Sequence, residues 1–131
     1  MADPRFRHPL DLEYIDGHQW KVLSAFDYYT DVPPVPVISV PVGFVTDFAS
    51  IPRPLWNVFS PTGTYGKAAV IHDTIYRTAT LPVTRAGADA IFLEAMTALS
   101  VNWVTRNILY RGVRIFGASS YAPRRQEKSR V

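Results

Sequence analysis

The stretch Y-G-K-A-A-V-I-H-D-T-I-Y-R, residues 65–77, is where the chain changes its hydrophobic period. Ala68, Ala69, Ile71, Ile75 and Tyr76 fall at helical spacing, which predicts a helix that stops near residues 78–82, before or at Pro82. Upstream of it the pattern is extended, and downstream it stays helical. Strands followed by helices predict an α+β fold, a small antiparallel sheet packed with three C-terminal helices.

Working upstream, residues 10–15 alternate apolar and acidic side chains, Asp16 and Gly17 form a hairpin-type turn signal, and residues 20–29 supply an aromatic-rich second strand. Residues 31–36 carry three prolines, which remove ladder donors, so a loop or an edge is expected there. Residues 37–45 resume a third strand, interrupted at Pro41 and Gly43. Working downstream, Thr84 is placed to cap a helix over residues 84–99, whose Ile91, Phe92, Ala95, Met96 and Leu99 form an apolar stripe. A third helix is expected over residues 101–116, with Gly117 at its C-terminal cap and Arg106, Arg111 and Arg114 on its outer parts. Residues 1–121 read as one domain and residues 122–131 as a basic tail without apolar content.

The chain of 131 residues contains no cysteine, which excludes disulfides and thiolate metal sites. The N-terminal residues lack the apolar run of a signal peptide, and no segment has the length of a membrane span. The net charge of +3 is asymmetric: residues 1–100 carry seven Lys/Arg against ten Asp/Glu, whereas residues 101–131 carry seven against one. That basic C-terminal third suits nucleic acid, an anionic surface or an acidic protein, and equally a solvated helix face.

Two segments carry residues fit for chemistry. In T-D-F-A-S-I-P-R-P-L-W, residues 46–56, Thr46, Asp47 and Ser50 are short polar side chains at the end of a strand, between prolines that force extended or turn conformations. Asp47 either closes an Asx-type turn or is presented as a metal ligand or acid/base group. In I-H-D-T-I-Y-R, residues 71–77, a helix stacks His72 on Tyr76 and Asp73 on Arg77, each pair one turn apart. His72 beside a carboxylate suits a general base or a ligand for one divalent metal ion, with Asp47 and Asp73 completing the set. The alternative is a buried hydrogen-bond network that satisfies the 46–50 turn. Asp89 is expected to be a helix-start charge stabilised by the macrodipole, or else a third carboxylate facing the His72 helix. Ser50, His72 and Asp73 do not make a convincing triad, since the serine lacks a G-x-S-x-G elbow and adjacent helical residues diverge. The glycines around Lys67 do not have Walker spacing.

The motifs T-D-F-A-S-I-P (46–52) and H-D-x-x-Y (72–76), with A-D-A-I-F-L-E-A-M (88–96) and R-x-x-L-Y-R-G-V-R-x-F-G (106–117), resemble a family of short phage and prophage proteins of unknown function. By motif position the resemblance singles out Asp47, Ser50, His72, Asp73, Tyr76 and Asp89. It implies a viral or prophage origin, and beside it stands the expectation of a virion-associated tail, baseplate or connector component, with the aromatic hairpin, the proline-rich loop and the basic tail making its contacts, located in the particle or in the host cytoplasm during infection. Other virion proteins, or further copies in a homo-oligomer, would then be its partners. The alternative is a small hydrolase acting on bacterial cell-wall material, with Asp47, His72, Asp73 and Tyr76 catalytic. Nucleic-acid binding by the basic end is a third expectation.

Overall fold

The computed structural model describes residues 12–16, 19–46, 55, 66–78, 80–118 and 121. Five strands precede three helices: β1 (Leu12–Asp16), β2 (Gln19–Val22), β3 (Phe26–Tyr29), β4 (Val37–Val40), β5 (Val45–Thr46), α1 (Gly66–Arg77), α2 (Arg85–Ala98) and α3 (Trp103–Phe116). The class is α+β, as the change of period implies. Asp47, Ser50, Gly17 and the basic tail lie outside the described residues.

The strands form two sheets where one was expected. β1, β2 and β5 make an antiparallel three-stranded sheet, and β3 and β4 make a separate antiparallel pair. The aromatic run 20–29 is therefore not one strand. Val22 donates to the Phe44 carbonyl at 2.9 Å and accepts from Gly43 N–H at 2.8 Å, and beyond it the chain bends into β3. Residues 37–45 divide likewise, because Pro41 has no N–H for a ladder and Gly43, at φ 86°, takes a left-handed turn that hands the chain from β4 to β5. In β3 and β4 the period of two puts Phe26, Tyr28, Ile38 and Val40 on one buried face, paired Phe26 with Val40 and Tyr28 with Ile38.

α1 is the central element. Its residues from Ala68 to Tyr76 are all buried, with α2 packed on one side and β4 and β5 on another. A helix enclosed on every side must satisfy its polar side chains internally, and this creates the networks described below. α2 starts at Thr84, whose side chain accepts from Gly87 N–H at 3.0 Å, as the cap expectation has it. It ends in a tight turn in which Ser100 is left-handed at φ 62° and Val101 N–H returns to the Met96 carbonyl, a Schellman-type closure that sends α3 back across α2. α3 is capped by Asn102, one residue into the expected helix, which accepts from Thr105 N–H at 2.8 Å. Gly117 caps α3 in a right-handed conformation, so its value is size: a Cβ there would stand 2.9 Å from the Tyr76 hydroxyl.

Candidate functional site

The i, i+4 pairs of α1 form as the spacing predicts, but they face different elements. His72 and Tyr76 look toward α2, where both meet Asp89. His72 Nε2 lies 2.7 Å from Asp89 Oδ1, and the Tyr76 hydroxyl donates to the same oxygen at 2.6 Å. The other carboxylate oxygen accepts from Arg114 Nη1 of α3 at 2.8 Å. His72, Tyr76 and Asp89 are fully buried, while Arg114 is 35% exposed and connects the network to the surface. The imidazole packs between the rings of Tyr76 and Phe92, with centroids 4.2 and 4.7 Å away. Tyr121 meets Tyr76 edge-on at 5.1 Å and donates to the Val83 carbonyl.

The protonation states follow from this geometry. Burial alone would raise the Asp89 carboxyl, but hydrogen bonds from His72, Tyr76 and Arg114 outweigh it and hold the group below its ordinary value. Asp89 is therefore a carboxylate, and His72 Nε2 must carry the proton between them. Burial, and then the hydrogen bond to the Asp89 carboxylate, push the Tyr76 phenol well above its usual range, so Tyr76 acts as an O–H donor and not as a base. The Arg114 charge balances that of Asp89.

Asp73 and Arg77 look toward β5. Asp73 Oδ2 accepts from the Thr46 hydroxyl at 2.8 Å and lies 3.4 Å from Arg77 Nη1. The same Arg77 atom donates to the Val45 carbonyl at 2.6 Å, and its guanidinium sits 5.5 Å above the Phe44 ring. Asp73 is fully buried; Arg77 is 34% exposed. This second network clamps the strand that leads into the T-D-F-A-S-I-P segment. Three residues beyond that segment Leu55 packs against Gly112 of α3, where an added Cβ would overlap it.

The sequence expectations divide accordingly. His72 and Tyr76 come together, and Asp73 joins Thr46 as expected for a network that satisfies the end of the strand. Among the described residues, the carboxylate that His72 meets is Asp89. Asp89 is accordingly not a helix-start charge but the third carboxylate facing α1, at the fifth position of α2. Arg85, four residues before Asp89 on α2, donates through Nη2 to the Val113 carbonyl near the end of α3. Arg114, expected on an outer part of α3, turns inward to Asp89, and half-buried Arg106 donates to the Val101 carbonyl. Glu94 was missed altogether: it accepts from the Tyr28 and Thr30 hydroxyls, each at 2.7 Å, and from Asp31 N–H at 3.1 Å, and so anchors the proline loop to α2. Its acidic side chain between the apolar positions Leu93 and Ala95 was the available signal. Among the described residues no group of three His, Asp or Glu side chains is gathered to hold a metal ion.

A model of a family described as a protein of unknown function, DUF1353, matches residues 20–113. The chain belongs to that family. The DUF1353 match runs from β2 into α3 and takes in both networks except Arg114, which lies one residue beyond it. Comparison with curated proteins and with solved structures returns no match.

Proposed function

We propose that this DUF1353 protein is a virion-associated component of phage origin, of tail, baseplate or connector type, whose polar networks are architectural and whose surface makes its contacts. The observation that carries the proposal is the outer face of α3, where Val104, Ile108 and Ile115 are exposed together, with Trp103 and Phe116 exposed at the two ends of the helix. Large apolar side chains clustered on one helix face are what an interaction surface requires. The His72–Asp89–Tyr76 network is consistent with this, since these three side chains are fully buried and, with Arg114, tie three helices together. The phage origin rests on the T-D-F-A-S-I-P and H-D-x-x-Y resemblance. Purified particles from a host encoding the chain should contain it at a constant ratio to the major tail proteins across a density gradient. Its absence from particles while abundant in the lysate would overturn the proposal.

A second reading, the small cell-wall hydrolase, is favoured by one observation: an ionised aspartate bonded to an imidazole is an acid–base pair. In that reading His72 exchanges protons, Tyr76 donates to developing negative charge, and Asp47 or Asp73 polarises the attacking group or helps hold a divalent ion. Metal binding and thermal stability of wild type, His72→Ala and Asp47→Ala separate the two. One ion per chain, lost in both folded variants, supports the hydrolase; destabilisation without metal binding supports the architectural role.

A further inference from the structure

The exposed residues of α3 are not scattered. Val104, Ile108, Arg111 and Ile115 are separated by four, three and four residues, the heptad spacing that keeps one seam facing a partner helix. All four are exposed, at 59% for Val104, 41% for Ile108 and 69% for Ile115. The seam is about 16 Å long at 1.5 Å per residue, matching three turns of another helix. The face through Leu109, Gly112 and Val113 already packs on the core, so α3 carries a second apolar face that is left exposed among the described residues.

Arg111 decides what that partner is. It stands inside the seam, about 4.5 Å along the axis from Ile108 and about 6 Å from Ile115. α3 contains no acidic residue, and residues 101–131 hold seven Lys/Arg against one Asp/Glu. A second copy of this chain is a poor occupant. Parallel pairing sets Arg111 opposite Arg111, and antiparallel pairing about the middle of the seam brings the two within about 4.5 Å along the axis, with no carboxylate on α3 to relieve either. A lipid surface is also a poor occupant, because helices that lie in the interface keep cations on their polar face, whereas this cation is in the middle of the apolar one. A helix carrying a carboxylate among apolar seam positions fits both features, and a central, desolvated arginine is a common anchor of such contacts.

We infer that the Val104–Ile108–Arg111–Ile115 seam of α3 docks an acidic amphipathic helix of another protein, with a carboxylate received by Arg111. This rests on the reading of the chain as a binding component and specifies the partner's chemistry.

The test uses the full chain and two stapled, three-heptad helical peptides with the same apolar positions. One carries Glu opposite Arg111 and on its flanks; the other carries Lys there. The Glu peptide should bind about ten-fold or more tightly than the Lys peptide and shift the amide resonances of α3. Arg111→Glu should reverse that preference. Ile108→Asp should abolish binding of both while the protein stays folded, since 41% of the residue is exposed. Equal affinity for the two peptides, or no binding by either, overturns the inference. So does recruitment through α3 to mixed phosphatidylserine and phosphatidylcholine vesicles, or a concentration-dependent dimer that Ile108→Asp dissolves. The two proposals fail separately: peptide selectivity without the chain in particles leaves the docking seam standing and removes the virion role, and the converse result removes the seam.

Discussion

Replacing Asp89 by Asn removes the one negative charge to which His72, Tyr76 and Arg114 all donate. The amide keeps an oxygen, and turned toward His72 and Tyr76 it presents an NH2 to the Arg114 guanidinium, donor against donor. Breaking a buried charge network by removing one partner costs about 3–5 kcal/mol. Arg114 is 35% exposed and can recover water, so the lower end applies, about 3 kcal/mol. For a chain of 131 residues that corresponds to a fall in Tm of about 10 °C at pH 7. The difference must also depend on pH with a definite sign. The folded Asp89 carboxyl lies below its unfolded value of about 3.9, so its contribution is complete above that pH and is lost as pH falls through the folded value. Thermal melts of both proteins from pH 7 downward should therefore show a constant gap to about pH 5 that narrows below about pH 4. A variant as stable as wild type at pH 7, or a gap that does not narrow in acid, would refute the assignment of Asp89 as the ionised hub.

Three further outcomes follow from the same contacts. Tyr76→Phe should cost about 2 kcal/mol, the value of a hydrogen bond to a charged acceptor, and leave the alkaline absorbance titration of the folded protein unchanged, because Tyr76 does not ionise in that range. Gly112→Ala should cost about 1–3 kcal/mol by displacing Leu55, and in a double-mutant cycle Leu55→Ala should cost less in the Gly112→Ala background than in wild type. Glu94→Ala should lower stability by about 2 kcal/mol in denaturant titrations and speed hydrogen exchange at Asp31, whose N–H loses its acceptor, while the His72 network stays intact.

Much of the helical half was legible in advance. Apolar periodicity located α1, α2 and α3, the hydroxyl of Thr84 marked a cap, and i, i+4 spacing stacked His72 on Tyr76 and Asp73 on Arg77. These are properties of neighbours within one helix, so local sequence contains them. The strand half was less legible. Nothing between Trp20 and Tyr29 breaks a strand as proline would, and the division after Val22 arises from its pairing with residues 43 and 44.

The same distinction governs the candidate site. Composition and spacing showed that α1 carries ionisable groups through an apolar stretch and that such groups need partners. Which partners they find was decided only when α2 and α3 packed against α1. Asp89 is 17 residues from His72, and Arg114 is 25 from Asp89. The direction of α3, set by the left-handed turn at Ser100 and its close packing at Gly112 and Gly117, brought Arg114 to Asp89 and the carbonyls at the end of that helix to Arg85. Local sequence determines what a helix offers on each face. Long-range packing determines what each face meets, because burial and hydrogen-bond satisfaction are settled across elements together.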